Sequence, residues 1–600
     1  MANNRRKRID DTRKLWDEDP EIPQLQKSRK RAFILATFIV FCFFIISVRL
    51  FDLMVLQHES LSRKARQQYL RSKTLKPQRG VIWDRNMKEM AINIETDSLF
   101  AVPTEVDDIQ ALSNKLSPVI NVSANDLNKT FISKKDKDFV WLSRKMDEET
   151  SRNVSSLKSR ERLIKEIGLL TETKRYYPKG QTASHLLGYT NIDNKGISGL
   201  ELTYDEYMRG EEKKVSGGRD ARGNRLSQGL EDTLSGNSIL LTIDEGLQYI
   251  VERELSKAMD EWQAAAAIAI MMNPMTGEIL AMANRPAYDP NFPKESTDAE
   301  RRNRGVTDMY EPGSTLKAFL ASAAFEEGTV KLGQMFDCSR GFIVVGGKPV
   351  KDAHRHGVLS FQDVIKKSSN VGSIQIGMRL GKEKYYSYLK KFGFGDKSGI
   401  DMPGEVGGML RGPAKWSGTS IGAISIGQEI GVTPLQMVRA YSAIANGGFL
   451  MKPYIVSEII SDTGEVIKKN SPVIIERVIS AHTAGVITDI LKGVTVEGGT
   501  GKNAEITGNL VAGKTGTAQK VDPDTGRYSK DKFISSFVGF APADKPEIAL
   551  IVVIHEPKGA NYGGVVAAPV FKRIVENAFA YLNIPMESDK NHILLVNSSR

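Results

Sequence analysis

The sequence predicts an α+β protein carried by a single N-terminal transmembrane helix. Two observations carry that reading. Residues 32–48, Ala32-Phe33-Ile34 through Ile46-Ser47-Val48, form a run of 17 residues without a charge. From residue 238 onward, short apolar runs precede a long helix-rich stretch of about 314–500, and further apolar runs follow it. Strands at both ends of a helical insert imply one sheet that the chain leaves and re-enters. With 600 residues there is room for roughly three to five domain-sized pieces.

Residues 1–31 are polar and basic, contain Pro20 and Pro23, and read as a disordered tail. As a helix the uncharged run spans about 26 Å, short of a ~30 Å hydrocarbon core. Continuation to Leu56 supplies the remainder, with Asp52 placed at i+3 to pair with Arg49. A cleaved signal peptide is disfavoured by the long preceding tail and by the lack of a small-x-small site after the run. The expected division is therefore a cytoplasmic tail 1–31 and a membrane helix 32–56, with the rest exported.

The net charge of +11 is concentrated beside that helix. Residues 1–31 carry +4 and residues 61–80 carry +7. Basic runs at both helix ends suit anionic lipid headgroups, not nucleic acid. Cys42 lies in the apolar run and Cys338 far from it, so no disulfide framework exists. His354-x-His356 is the nearest approach to a metal pair, and no zinc-ligand pattern or cofactor motif is present.

Residues 57–237 read as an α+β pedestal with glycine turns and no constellation that suggests chemistry. Gln78–Ala91 looks like strand, turn, strand. Ser238–Ile243 is an expected strand, and Asp244 caps a helix that runs through Met259. Ala265–Met272 and Glu278–Ala283 are strands joined by the hairpin chemistry of Asn273-Pro274-Met275-Thr276-Gly277. Strands are expected again at Val511–Thr517, Ile534–Phe540 and Glu547–His555. An amphipathic helix closes the domain near 568–582, and 586–600 is a tail.

Three segments carry chemistry. In Glu311-Pro312-Gly313-Ser314-Thr315-Leu316-Lys317 a tight turn enters an apolar helix. Ser314 sits at the helix N-terminus, where orphan N–H groups stabilise negative charge. Lys317 follows at i+3 and can take the serine's proton if burial or a second cation keeps it neutral. Lys367-Ser368-Ser369-Asn370-Val371-Gly372 puts a hydroxyl and an amide two residues apart on a turn after the helix Phe361–Lys367. In Val511-Ala512-Gly513-Lys514-Thr515-Gly516-Thr517 an extended strand turns Thr515 and Thr517 to one side and Lys514 and Gly516 to the other. Gly516 allows close backbone approach, and an exposed strand edge can accept an extended peptide.

Each segment alone is ordinary. Together and in this order, Ser-x-x-Lys, Ser-x-Asn and Lys-Thr-Gly are shared by penicillin-binding proteins and class A β-lactamases. Further phrases match as well. They are Arg302-Asn303-Arg304-Gly305-Val306-Thr307-Asp308, Ser425-Ile426-Gly427-Gln428-Glu429 through Gln436, Arg79-Gly80 with Asp84-Arg85-Asn86, Gly199-Leu200-Glu201, and Tyr562-Gly563-Gly564. Over about residues 32–585 the chain resembles a class B penicillin-binding protein, most closely the septal peptidoglycan D,D-transpeptidases of Gram-negative bacteria.

The resemblance implies a pedestal of dimerisation type over 57–237 and a transpeptidase domain over 238–585. It implies an antiparallel five-stranded sheet with helices on both faces and an all-helical subdomain. It gives Ser314 as nucleophile on a D-Ala-D-Ala donor, Lys317 as general base and Ser368 as proton relay to the leaving D-Ala. Asn370 would orient Lys317 and the substrate amide, and Lys514 would hold the field that keeps Lys317 neutral. Thr515 and Thr517, with Gly516 between them, would bind the substrate carboxylate, and the N–H groups of Ser314 and Thr517 would form an oxyanion hole. Implied partners are stem peptides as donor and amine acceptor, β-lactams, the inner membrane, a polytopic septal glycan polymerase and other division proteins. Elongation-specific class B enzymes, D,D-carboxypeptidases, β-lactamases and a catalytically idle scaffold remain open alternatives.

Overall fold

The computed structural model describes residues 22–57, 71–75, 77–137, 139–163, 166–210, 213–217, 235–508, 510–522 and 525–585. The expected C-terminal tail, residues 1–21 of the basic tail and residues 61–70 of the second basic segment lie outside the described residues. The chain divides into two compact units, residues 1–76 with 212–233 and residues 77–211 with 234–600.

The first unit holds helix α1 (Ile22–Phe51), a π turn at Asp52–Leu56, and an antiparallel ladder of Arg71–Leu75 with Lys213–Gly217. Residues Arg31–Leu56 are long and apolar enough to cross a membrane, with a mean hydropathy of 2.6 and none of the span buried. This fits a single-pass anchor. Arg49 Nη1 donates to Asp52 Oδ2 at 2.7 Å, the expected i+3 pair. The helix starts at Ile22, inside the stretch expected to be disordered. Gln, Lys and Arg are good helix formers, and Pro23 falls in the first turn, where its missing N–H is not needed.

In the second unit, strand β1 (Ile82–Trp83) and the long β2 (Glu89–Ala101) form the expected strand-turn-strand. β2 also pairs antiparallel with β3 (Val140–Ser143) and β4 (Ile167–Tyr176). β5 (Ser238–Leu241) lies parallel to β1 and antiparallel to Val456–Ile460, which pairs with Val466–Lys469. One seven-stranded sheet therefore runs from the pedestal into the domain that follows.

Attached to it through Arg175 of β4 is a buried charge network built from the Arg79-Gly80 and Gly199-Leu200-Glu201 phrases. Arg79 donates to Glu201 Oε2 at 2.5 Å, to Asp205 Oδ1 at 2.6 Å and to Glu201 O at 2.7 Å. Arg175 donates to Glu201 Oε1 at 2.6 Å and to Gly80 O at 2.8 Å. Two arginines face two carboxylates, so the formal charges balance.

The remaining elements form the larger domain. The Asp244 side chain caps α2 (Glu245–Trp262) by accepting from Gly246 N and Leu247 N. Strands β6 (Ala266–Met272) and β7 (Ile279–Arg285) follow as a hairpin. Helices α3 (Lys317–Glu326), α4 (Asn370–Leu380), α5 (Pro434–Ala445) and α6 (Ala481–Thr495) dominate the middle. Then come β8 (Ala512–Val521), β9 (Tyr528–Ala541), β10 (Ile548–His555) and the closing α7 (Ala568–Leu582). The sheet order is β8-β9-β10-β6-β7, antiparallel throughout, with β8 at one edge. This is the expected sheet that the chain leaves after β7 and re-enters at β8.

Period-2 alternation buries both faces. Ile268, Ile270, Met272, Ile551 and Val553 join the core containing α3 and α5. Ala267, Ala269, Met271, Leu550, Val552 and Ile554 join the core containing α2 and α7. The helix-rich stretch is not purely helical. It carries ladders Met335–Asp337 with Val358–Ser360, Phe342–Val345 with Lys348–Lys351, and Phe449–Met451 with Ile474–Arg477. The second is a β-branched run closed by Gly346-Gly347, a hairpin signal that the surrounding helical pattern hides.

Removing one partner from a buried ion network leaves an uncompensated charge. Glu201→Ala is expected to lower stability by about 3–5 kcal/mol. Lys115→Ala, which breaks the solvent-exposed pair with Glu161, should cost less than about 1 kcal/mol. Denaturant titration of the full-length protein in detergent compares the two.

Candidate active site

The turn that presents Ser314 is fixed from three sides. Tyr310 N donates to Val432 O at 2.9 Å, Gly313 N donates to Gly427 O at 3.0 Å, and Tyr441 Oη donates to Thr315 O at 2.9 Å. Gly313 has φ +55°, a conformation that favours glycine. Ser314 does not begin the α-helix directly. It lies in a 3₁₀ turn, Gly313–Leu316, that runs into α3. In 3₁₀ geometry residues i and i+3 eclipse. Lys317 therefore stands over Ser314 on the same side.

Two glycines let this turn touch the edge strand β8. A Cβ on Gly516 would lie 2.4 Å from Ser536 Oγ and 2.9 Å from Pro312 O. A Cβ on Gly313 would lie 2.9 Å from Thr517 O. Main chain thus packs on main chain at the point where Ser314 meets the Lys514-Thr515-Gly516-Thr517 strand.

Lys317 is fully buried. Its Nζ donates to Ser368 O at 2.8 Å, to Asn370 Oδ1 at 2.8 Å and to Ser368 Oγ at 3.3 Å. Ser368 has φ +59°, which turns its carbonyl and hydroxyl toward the lysine. Burial pulls the Lys317 amine down to about 7, against the opposing pull of the Asp352 carboxylate. Lys514 is fully buried too, and its amine is pushed well below the ordinary lysine value by burial first and by the Lys317 charge second. Desolvation, not Lys514, is the main cause at Lys317. The repulsion between the two lysines weighs on Lys514.

Asp352 was not legible in the sequence. It follows the Phe342–Lys351 hairpin and clamps the start of α4. Its carboxylate accepts from Asn370 N, from Val371 N at 3.0 Å and from Ser369 Oγ at 2.9 Å. Ser369 Oγ in turn caps α4 by accepting from Gly372 N at 3.0 Å. The Asn370 amide is oriented from its other end, where Nδ2 donates to Lys351 O at 2.9 Å. No local pattern marks an aspartate 18 residues before the helix it caps.

The opposite wall is β8. Thr515 Oγ1 and Thr500 Oγ1 share a hydrogen bond of 2.9 Å. Gly563 N donates to Thr517 Oγ1 at 3.1 Å, and Asn503 Nδ2 donates to Gly564 O at 2.8 Å. Ser314, Ser368, Asn370, Thr515 and Thr517 line a single cleft of about 570 Å³. Lys317, Lys514 and Gly516 are buried behind it. The structure therefore brings together all eight residues singled out in the sequence, on the expected sides of the strand. Thr500, Asn503 and Gln428 also border the cleft or brace it, and no chemistry in their local sequence distinguishes them.

A neutral amine at Lys317 requires the burial described here. Lysine Cε shifts in selectively ¹³C-labelled protein should show one amine titrating near 7. Asp352→Asn removes the carboxylate that stabilises the ammonium, so that titration should move to lower pH.

Known proteins show the same organisation. Residues 267–576 match the penicillin binding protein transpeptidase domain, and residues 74–241 match the penicillin-binding protein dimerisation domain. The chain is 37% identical to the stage V sporulation protein D of Bacillus subtilis over 565 residues, 93% of this chain and 86% of that one. It is 32% identical to the peptidoglycan D,D-transpeptidase FtsI of Escherichia coli over 558 residues, 90% of this chain and 91% of that one. The crystal structure of penicillin binding protein 3 from Mycobacterium tuberculosis, complexed with aztreonam, is similar with a TM-score of 0.67 at 29% identity, covering 86% of this chain and 98% of that one. With a dimerisation domain ahead of a transpeptidase domain and relatives of this length and identity, the chain belongs to the class B penicillin-binding proteins.

Proposed function

We propose that the chain is a serine-type peptidoglycan D,D-transpeptidase that cross-links stem peptides through an acyl-enzyme on Ser314. The observation that carries this is the buried Lys317 amine, three residues past Ser314 at the end of its 3₁₀ turn and held by Ser368 and Asn370. Neutral Lys317 takes the Ser314 hydroxyl proton as Oγ attacks the carbonyl of the penultimate D-Ala. The N–H groups of Ser314 and Thr517 receive the oxyanion, a type of donor worth about 3–4 kcal/mol each. The proton passes through Ser368 to the departing D-Ala amine, and the C–N bond breaks to leave the ester. Thr515 and Thr517 hold the terminal carboxylate, and Asn370 orients Lys317 and the substrate amide. A stem-peptide amine then attacks the ester carbonyl, giving up its proton to Lys317, which returns it to Ser314 Oγ as the acyl–oxygen bond breaks.

Transfer to an amine, not hydrolysis, is the reading that the transpeptidase domain match and the name of the Escherichia coli relative support. A β-lactam is opened by the same serine and leaves an ester with no comparable exit. We assign residues 1–31 to the cytoplasm and the catalytic domain to the outer side of the inner membrane. The membrane helix and pedestal would serve a polytopic septal glycan polymerase and other division proteins. Peptidoglycan D,D-transpeptidation accords with the name of the Escherichia coli relative, and we assign it to the division septum. The Bacillus subtilis relative is named for sporulation, which favours a second reading, the same chemistry used in that process. A fluorescent fusion concentrated at the division plane of growing cells supports the septal role, and a signal confined to sporulating cells supports the other.

Incubation with benzylpenicillin, followed by intact mass, should give a persistent one-to-one adduct. Ser314→Ala should give none, and rapid clearance of the adduct would indicate a β-lactamase instead. Because the base is the neutral amine, the acylation rate should rise with pH through about 7. Lys317→Arg, whose side chain stays charged, should slow acylation by about 10²-fold or more.

A further inference from the structure

The active-site cleft has a one-sided charge. Its lining includes Lys367, Lys502 and His354 and, among the described residues, neither aspartate nor glutamate. Lys502 is already matched by Glu497, with which it forms a salt bridge. Lys367 is exposed and has no ion pair among the described residues. The left-handed turn at Ser368 follows directly. Lys366 folds away from the cleft, its stem beside Gly493, while Lys367 enters the cleft lining next to Ser368 and Asn370.

The catalytic geometry says what Lys367 would meet. A donor's terminal carboxylate belongs to the Thr515–Thr517 wall, and its scissile carbonyl to Ser314. The residues upstream of that carbonyl are left against the Ser368–Asn370 wall, which Lys367 and His354 extend. We infer that Lys367 is a specificity-determining residue that receives a second, upstream carboxylate of the donor peptide, so that the cleft selects peptides whose side-chain carboxylate is free over those in which it is an amide. This rests on the transpeptidase reading above. An unpaired cation on a cleft lining that holds no aspartate or glutamate supplies the attraction, and low-dielectric walls focus it, while the nearest carboxylate, Asp352, is engaged by Asn370 N and Ser369 Oγ.

The test uses the full-length protein in detergent and two synthetic peptides ending in D-Ala-D-Ala, identical except for a glutamate carboxylate or its carboxamide. D-Ala release is followed with excess glycinamide as acceptor. The wild type should favour the acidic peptide by about 2–5-fold in kcat/KM at low salt, the range of one partly screened ion pair. That preference should shrink between 50 and 500 mM salt, by roughly the whole factor, as the Debye length contracts. Lys367→Gln should abolish the preference and Lys367→Arg should retain it. Equal rates on both peptides in the wild type, a preference insensitive to salt, or one that survives in Lys367→Gln overturns the inference. If the wild type forms the benzylpenicillin adduct but turns over neither peptide, the transpeptidase reading fails and the inference falls with it.

Discussion

The desolvation of one amine governs this structure. In the proposed mechanism Lys317 acts on Ser314 only while its nitrogen is neutral near physiological pH, and burial is what lowers its basicity. An amine buried without partners would be costly, yet a carboxylate partner would recharge it. The protein meets both demands by offering acceptors without full charge, namely the Ser368 carbonyl and hydroxyl and the Asn370 amide oxygen. The nearest carboxylate, Asp352, is spent on the main-chain N–H groups and hydroxyl at the start of α4. Its pull on the lysine is thereby kept smaller than the effect of burial.

The rest of the fold holds that arrangement still. The 3₁₀ turn carrying Ser314 is wedged between β8 and the Gly427 loop, and both contacts are main chain on main chain. Side chains could relax around such an interface, but packed backbone has little freedom to do so. Behind the turn, the antiparallel sheet is buried on both faces, so that β8 is an edge strand on a rigid base. In the proposed reaction an extended peptide would lie along that edge, and a rigid base would keep the oxyanion donors in place.

The pedestal is joined to this base by pairing as well as by packing. β5 belongs to both parts, bonded to β1 on one side and to Val456–Ile460 on the other. The boundary near residue 238, which is a change of texture in the sequence, is a shared sheet in three dimensions. The Arg79–Glu201–Arg175–Asp205 network is attached to it through Arg175 of β4. Its charges are paired with one another and braced by main chain, Tyr177 and Asn93, so the parts of the pedestal that supply them cannot move independently without exposing a buried ion.

The sequence by itself determined the membrane helix, the strand-helix-strand plan and the segments that meet at the cleft. Hydrophobic periodicity is local, and it placed β6, β10 and α7 within a residue or two. The three motifs held all eight residues that the fold brings together, because the proposed nucleophile, base and carboxylate-binding strand would each need a short run of fixed residue types. Tertiary structure decided what depends on neighbours distant in the chain. It placed Ser314 in a 3₁₀ turn instead of at an α-helical terminus, because contacts from Val432, Gly427 and Tyr441 hold the turn tight. It assigned the lowered basicity of Lys317 to burial, a property of the whole core that no spacing between lysines reveals. It brought Asp352 to the Asn370 turn and merged pedestal and catalytic sheet through β5, since strand pairing and helix capping across such separations leave no mark in either segment alone.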